Sequence, residues 1–313
     1  MAAPWRIIFM GTPHIAAATL AQLLTGPDTV VGVVTQPDSS AGRGQKSSAS
    51  PVRRLAESHA IPVLAAEKIR TPEFLQSLRH WQPDIIVVVA YGRILPKSIL
   101  ELAPHGCVNV HYSLLPKYRG AAPAAWTIIN GEAEAGVSTM KLAEKMDAGA
   151  IYLQEAIRLS GVETTGSLQT QLTPIGSELL LETLRRLRDG SLNALEQDES
   201  LATLAPILRK QDGLIDWQRP AIDLERRIRG FDPWPGSFTH FAGKMLKIHR
   251  ASIVSTERRG APGEIIRADG AGFWLATASG VLSLEEVQQE NKKRLAGIEF
   301  IKGARIKAGD RLG

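Results

Sequence analysis

The chain has 313 residues, of which 44% are apolar and 22% charged, a composition typical of folded globular proteins. This length predicts two domains, and the longest apolar run, residues 85–90, is far shorter than the roughly 20 residues of a membrane-spanning helix. The single cysteine, Cys107, excludes an internal disulfide and suits a reducing cytoplasm, where we expect the protein to act. Its place in an apolar run favours a packing role over that of a nucleophile.

Short β-branched runs alternate with helical patterns through the first half of the chain. The predicted strands cover residues 6–10, 29–35, 62–64, 85–89 and 107–111. The predicted helices cover residues 14–24, 72–80 and 96–103, and a further helix begins near Pro51. This alternation predicts an α/β fold with a doubly wound, mostly parallel, Rossmann-like sheet. Ligands of such sheets bind beyond the C-terminal ends of the strands.

The second half of the chain has a different pattern. Leucine spacing from Leu168 to Leu187 predicts a long amphipathic helix that ends at Gly190. Alternating segments at residues 245–254, 263–266, 273–277 and 281–287, followed by a helix at 296–303, predict a small β-barrel. Between them, residues 191–208 have weak periodicity and are interpreted as a linker. The predicted domains are therefore residues 1–190 and 209–313.

Positive charge is concentrated in the last third of the chain. Residues 203–313 hold 19 basic and 13 acidic side chains, whereas residues 1–202 hold 18 and 19, within a net charge of +5. Two interpretations stay open: a surface for a polyanion, or an arginine-rich surface that contacts only solvent.

Two polar side chains stand at the end of the predicted strand 107–111. Because alternate residues of a strand face opposite ways, Asn109 and His111 share one face, while Val108 and Val110 share the other. A carboxamide and a titratable imidazole side by side at a strand end, next to a loop, suit a reacting carbonyl group.

Asp147 is the candidate third partner of this pair. It lies 36 residues after His111 and shortly before Gly149, which lets the backbone approach a ligand closely. A carboxylate beside an imidazole fixes its tautomer and favours its protonated form. Spacing alone favours an aspartate that only forms a turn, so both interpretations stay open at this point.

The polar loop at residues 36–50 is long for a connection inside a compact domain. It contains Arg43 between two glycines, with Lys46 nearby. This pattern suits an arm that closes on phosphates, and equally an irregular surface loop. By contrast, the turn at residues 11–13 has one glycine where a dinucleotide-binding turn needs three, so we predict only a tight turn there.

Residues 109–123, together with Asp147 and Gly149, resemble the signature of the folate-dependent formyltransferases. Further motifs similar to those of the family lie before and after these residues, in the family's order, at residues 36–52, 88–96, 212–217 and 232–236. The resemblance therefore covers nearly the whole chain. The resemblance implies the transfer, without a metal, of a formyl group from 10-formyltetrahydrofolate to the amino group of methionine on initiator tRNA. It also implies that residues 209–313 form an OB-like domain that binds the tRNA. We expect the protein to act as a monomer.

The resemblance assigns roles to individual residues. Asn109 would donate a hydrogen bond to the formyl oxygen, His111 would stabilise that oxygen and move a proton, and Asp147 would orient His111. The implied folate-binding residues are Ala90, Gly92, Ile94, Ser113, Leu114, Leu115 and Pro116. The implied tRNA-binding residues are Arg43, Lys46, Lys210, Arg250, Lys292, Lys293 and Arg294.

Three rival functions share parts of this pattern. Another formyltransferase of the same fold could act on glycinamide ribonucleotide or on a sugar nucleotide amine, but neither small substrate needs the arm or a basic second domain. A hydrolase that releases formate from the same folate would share Asn109, His111 and Asp147. A non-catalytic RNA-binding module would use only the second domain.

Overall fold

The computed structural model describes residues 3–41 and 46–313 of the chain. The chain divides into two compact units, the first formed by Met1–Pro123, Glu134–Ile157 and Gln169–Ala205, and the second by Ala124–Ala133, Arg158–Leu168 and Pro206–Gly313. The predicted domain bounds differ from these units mainly at residues 124–133 and 158–168. Long-range hydrogen bonds explain part of the difference, since the Thr165 hydroxyl donates to the carbonyl of Gly230 at 2.7 Å.

Helices and strands alternate from the N-terminus to residue 205. The elements in chain order are β1 (Arg6–Gly11), α1 (His14–Leu23), β2 (Thr29–Thr35), β3 (Ser39–Ala41), β4 (Lys46–Ser48), α2 (Pro51–Ser58), β5 (Val63–Ala65), α3 (Pro72–His80), β6 (Ile85–Val89), α4 (Lys97–Leu100), β7 (Cys107–His111), β8 (Arg119–Gly120), α5 (Pro123–Ile129), β9 (Glu134–Lys141), β10 (Ile151–Arg158), α6 (Thr165–Arg188) and β11 (Leu204–Ala205). A 3-10 turn at Glu199–Leu201 precedes β11.

A seven-stranded sheet in the order β10-β9-β7-β6-β1-β2-β5 is the centre of this part of the chain. The pairs β1–β2, β1–β6, β6–β7 and β2–β5 are parallel, and β7–β9 is antiparallel. The chain order reverses at β1, which has β2 on one side and β6 on the other. The ends of β1, β6 and β7 therefore meet at one edge of the sheet, where Gly11 lies opposite Val89 and Val89 opposite Val110. This edge is where ligands bind in doubly wound sheets.

Local sequence explains where several elements begin. Helix α2 follows Ser50, whose hydroxyl accepts a hydrogen bond from the N–H of Arg53, and α3 follows Thr71 in the same way. Each helix then has proline at its first position, where a missing N–H costs nothing. The predicted strands 29–35, 85–89 and 107–111 and the predicted helix 72–80 are confirmed to the residue.

The second half of the chain is mostly antiparallel β-structure. Its elements are α7 (Ala221–Gly230), β12 (Ser237–Phe241), β13 (Lys244–Ser255), β14 (Ile265–Asp269), β15 (Gly272–Ala276), β16 (Val281–Gln289), β17 (Leu295–Ala296) and α8 (Gly297–Ala304). The strands pair in the order β12-β13-β16-β15-β14, with β17 on β16. In the described residues no ladder joins the edge strands β12 and β14. The core includes Leu224, Leu246, Phe273, Leu284 and Phe300.

The predicted fold class is confirmed: an α/β, mostly parallel sheet is followed by an antiparallel β-domain. In the residues that the structure describes, every helix is too short or too polar to cross a bilayer. The sequence did not predict α5, α7, β9, β10 or β12. The predicted loop at 36–50 contains the short hairpin of β3 and β4.

Candidate active site

Strand β7 brings Asn109 and His111 to the ligand-binding edge of the sheet. On its opposite face, Val110 packs against α6, where a Cβ added to Gly176 would lie only 3.0 Å from Val110 Cγ1. Because α6 approaches so closely, the face of β7 that carries Val110 is covered by the helix and points away from Asn109 and His111. Asn109 and His111 are 8% and 5% exposed. Within the described residues the Asn109 carboxamide makes no hydrogen bond, so its N–H groups remain available to a ligand.

The His111 ring is held by a backbone carbonyl. Its Nε2 lies 2.9 Å from the carbonyl oxygen of Tyr118. A carbonyl only accepts hydrogen bonds, so Nε2 carries the hydrogen and Nδ1 is the nitrogen that can take up or release a proton. Nδ1 lies 3.8 Å from Oδ2 of Asp147, which is too long for a direct hydrogen bond.

Asp147 is tied to the loop that follows β7. Its Oδ2 accepts a hydrogen bond from the N–H of Gly120 at 2.8 Å. Its side chain is 13% exposed, and its backbone has φ of +50°, in the left-handed region that few residues other than glycine adopt. Asp147 therefore lies near His111 in the structure, and the direct hydrogen bond of the ring is to the Tyr118 carbonyl. The orienting role of Asp147 stays a prediction.

The loop from Ser113 to Pro116 is held by hydrogen bonds within the fold. Ser113 donates its hydroxyl hydrogen to the carbonyl of Lys117 at 2.6 Å, and its own carbonyl accepts from Ser138 at 2.6 Å. The side chain of Leu115 packs in a small core with Met140 and Ile151. Leu114 also faces inward, since a Cβ on Gly136 would be 2.4 Å from it. The hydroxyl of Ser113 and the side chains of Leu114 and Leu115 therefore contact other parts of the fold.

The turn after β6 lies beside the end of β7. Ala90 and Gly92 both have positive φ, +46° and +79°, so the backbone turns sharply out of the sheet. The side chain of Gln36 donates to the carbonyl of Tyr91 at 2.8 Å. Ile94 is 64% exposed and is available for contact with a ligand.

The predicted tRNA-binding residues fall into three groups. Arg43 lies outside the described residues, and Lys46 is described only as part of β4. Arg250 pairs with Glu285 at 2.7 Å and Arg294 with Glu286 at 3.6 Å, so both guanidinium groups already have an anionic partner. The third group is Lys210, Lys292 and Lys293, whose side chains are exposed and make no ion pair with the described residues.

No sequence pattern predicted that residues 197–205 contact the loops that carry Tyr118 and Asp147. Residues predicted as a linker pair with the loop after β7, since β11 runs parallel to β8. The hydroxyl of Thr203 accepts from the N–H of Tyr118 at 2.9 Å, and Gln197 contacts the Asp147 loop. Only the three-dimensional structure shows these partners, because they lie about 50 to 85 positions apart in the chain.

Two further groups bear on the chemistry of the site. Cys107, two residues before Asn109, is buried in the core, as the sequence predicted. This burial raises the pKa of its thiol to about 12. The residues that the structure describes contain no group of three or more His, Cys, Asp or Glu side chains arranged to hold a metal ion.

Comparisons with known proteins give matches along nearly the whole chain. A family model for formyl transferase matches residues 5–184, and a model for the formyl transferase C-terminal domain matches residues 207–305. The methionyl-tRNA formyltransferase of Desulfotalea psychrophila is 50% identical over 97% of this chain and 94% of its own length. That of Geobacter sulfurreducens is 46% identical over 98% of this chain and 96% of its own length.

Solved structures with the same fold have lower identity. HypX from Aquifex aeolicus in complex with tetrahydrofolic acid is 17% identical, with a TM-score of 0.63 over 99% of this chain and 51% of that chain. WlaRD, a sugar 3N-formyl transferase, is 18% identical, with a TM-score of 0.66 over 92% of this chain and 99% of that one. At these identities the likeness establishes the fold alone.

Proposed function

The chain belongs to the formyl transferase family, and from this premise we propose that it transfers the formyl group of 10-formyltetrahydrofolate to the amino group of methionyl-initiator tRNA. The product is N-formylmethionyl-tRNA for translation initiation, a reaction of the cytoplasm. The near full-length identity of about half with methionyl-tRNA formyltransferases supports this acceptor over others.

The unpaired carboxamide of Asn109 is the observation that carries the chemistry. Its side chain is at the ligand-binding edge of the sheet, and the residue is 8% exposed. Removing the remaining water from this amide costs free energy unless another hydrogen-bond partner replaces the water. A carbonyl oxygen of a bound formyl group satisfies the amide. As the amine attacks the formyl carbon, that oxygen gains negative charge, and the fixed N–H groups of Asn109 stabilise it.

His111 moves the proton that the reaction must transfer. The attacking amine loses a proton, and the nitrogen that leaves the formyl carbon gains one. Since Nε2 is held by the Tyr118 carbonyl, Nδ1 exchanges the proton. The carboxylate of Asp147, 3.8 Å away, stabilises the positive charge that the ring acquires.

The sharp turn after β6 supports a folate site beside this centre. The folate supplies a formyl group bonded to nitrogen, ready for transfer to an amine. Positive φ at Ala90 and Gly92 exposes backbone groups that can bind a planar ring with several hydrogen-bond donors and acceptors. Ile94 adds an exposed apolar contact next to them. The backbone of Ser113–Pro116 would form the other wall of this site.

Contacts to tRNA phosphates are proposed for the basic side chains of both domains. Three lysines are exposed and have no ionic partner in the described residues: Lys210, Lys292 and Lys293. We therefore favour them as phosphate contacts over Arg250 and Arg294, which are already paired with glutamates. Arg43 and Lys46 stay predictions for the arm. Such contacts weaken as salt is raised, because phosphate binding releases counterions.

The experiment that tests the proposed function compares acceptors for one formyl donor. The purified chain is incubated with 10-formyltetrahydrofolate and methionyl-initiator tRNA, free methionine, glycinamide ribonucleotide, a sugar nucleotide amine, or buffer alone. We expect formylation of the charged tRNA only. Formate release without an acceptor would support a hydrolase, and equal use of a small amine would support another transferase. tRNA binding without turnover would support a non-catalytic RNA-binding module.

A further inference from the structure

One side chain, Gln197, joins the Asp147 loop to the segment before β11. Its Nε2 donates to the carbonyl of Asp147 at 2.9 Å and to the carbonyl of Gly149 at 2.7 Å. Both hydrogens of the amide nitrogen are therefore used, one on each side of Ala148. A single amide thus fixes two backbone groups of the loop that carries the carboxylate.

Gln197 is itself held from the other side by Arg119. The Nε and one terminal nitrogen of Arg119 donate to Oε1 of Gln197 at 3.0 and 2.8 Å. The other terminal nitrogen donates to Glu199 at 3.1 Å. Arg119 is 3% exposed, so the guanidinium cannot swing into solvent, and its planar donors fix the orientation of the Gln197 amide.

Arg119 also stands next to the group that holds the Asp147 carboxylate. Gly120, the residue after it in β8, donates its N–H to Oδ2 of Asp147. A Cβ on Gly120 would lie 2.5 Å from the carbonyl of Ala205, so β8 and β11 are in close contact at this point. The backbone of Asp147 is therefore fixed through Gln197, and its carboxylate through Gly120, by one connected set of hydrogen bonds.

The Asp147 backbone requires such support. Few residues with a side chain adopt a left-handed conformation, and it persists only where its surroundings determine it. If the two carbonyls lost their donor, the loop could relax and carry Oδ2 away from Nδ1 of His111. At 3.8 Å in a buried site, a displacement of about 1 Å weakens the attraction between the carboxylate and a protonated ring.

We propose that Gln197 is a positioning residue for the transfer reaction. It does not touch the substrates, but it sets the place of the Asp147 carboxylate relative to His111. This inference rests on the proposed function, because it concerns the same reaction.

The Gln197→Glu substitution isolates the two donated hydrogen bonds. A glutamate keeps the size of the side chain and an acceptor for Arg119, but it has no N–H for the carbonyls of Asp147 and Gly149. We expect kcat for methionyl-tRNA to fall by about 10- to 100-fold, as for a catalytic group displaced by about 1 Å. The KM values for folate and tRNA should change by less than about threefold, because no binding contact is removed. Gln197→Met, which is neutral and lacks both donor and acceptor, should show the same loss and excludes an effect of the added charge.

A double-mutant cycle with Asp147→Asn separates positioning from a merely structural role. If Gln197 acts through the carboxylate, adding Gln197→Glu to the Asp147→Asn enzyme should lower kcat by less than about threefold. The pH profiles of kcat for the two single variants should also change in the same direction. An equal loss in both backgrounds, or a normal kcat in both Gln197 variants, would overturn the proposal.

Control measurements distinguish this proposal from the proposed function. Transfer by the wild-type chain is measured in the same assay, and its absence would refute the proposed function and with it the role of Gln197. Normal wild-type transfer with unaffected Gln197 variants would refute only the role of Gln197. If either Gln197→Glu or Gln197→Met is unstable, a crystal structure of the other variant shows whether the distance between Nδ1 of His111 and Oδ2 of Asp147 has lengthened from 3.8 Å.

Discussion

Gly149→Ala changes the catalytic loop by one methyl group. Gly149 follows Asp147 by two residues, and its carbonyl is one of the two that Gln197 holds. A Cβ built on it would lie 1.9 Å from the carbonyl oxygen of Lys141 and 3.0 Å from its carbonyl carbon. Both atoms are backbone, so no side-chain rotation can relieve the clash.

The required movement can be estimated from these distances. Ordinary contacts of a Cβ begin at 3.4 Å, so the loop and the end of β9 must separate by about 1.5 Å. Strand β9 is held in the sheet, where Lys141 pairs with Val108 of β7. The loop therefore yields, and Asp147 moves with it. A displacement of about 1 Å at a reacting centre can lower a rate by about 10²-fold, and forced overpacking costs about 1–3 kcal/mol of stability.

The assay measures kcat for formylation of methionyl-tRNA and the melting temperature of the same sample. We expect kcat to fall by about 10²-fold while the protein remains folded. The matched control is Gly303→Ala in α8, where nothing lies within 4 Å of the added Cβ and φ is not positive. That change should leave kcat intact and improve helix propensity by up to about 1 kcal/mol. A Gly149→Ala enzyme within threefold of wild-type activity would show that the loop accepts the methyl group without displacing Asp147.

Three further predictions concern a catalytic, a buried and a structural group. His111→Ala should lower kcat by about 10²-fold or more, while the exposed control His59→Ala leaves it unchanged; near-normal turnover would exclude His111 from proton transfer. Because its thiol has a pKa of about 12 through burial, Cys107 should not react with a thiol reagent in the native protein at pH 8 and should react fully in denaturant; rapid native labelling would contradict this. Burial by itself raises the pKa of the Glu163 carboxyl. Hydrogen bonds from the turn at residues 160–161 together lower this pKa by a larger amount, so the net value is about 2, below the 4.5 of the unfolded chain. The stabilisation is thus complete above pH 4.5 and is lost as the pH falls toward 2, so Glu163→Gln should cost about 1–3 kcal/mol at pH 7 and less at pH 3.5 in urea unfolding; equal costs at both pH values would argue against it.

Elements with a strong local signal were predicted closely from sequence. Runs rich in β-branched residues give β2 and β6, and the alternation of valine with polar residues gives β7. A capping threonine followed by proline gives the start of α3. Strand β9 was not predicted, since the run Glu-Ala-Gly-Val-Ser-Thr-Met-Lys combines glycine and polar residues. It forms a strand because its second half, residues 138–141, pairs with residues 108–111 of β7. Here tertiary pairing outweighs local propensity.

That Asn109 and His111 share a face follows from the sequence alone, because the two-residue period of a strand is a local property of the backbone. The sequence also indicated the reaction, through motifs that are each short and continuous in the chain. Only the tertiary structure decided how the imidazole and the carboxylate are held. The Tyr118 carbonyl selects the working nitrogen of His111, and Gln197 fixes the loop of Asp147 from 50 positions away. Hydrogen bonds between such distant residues leave no periodic pattern, since they depend on which loops the folded sheet brings together.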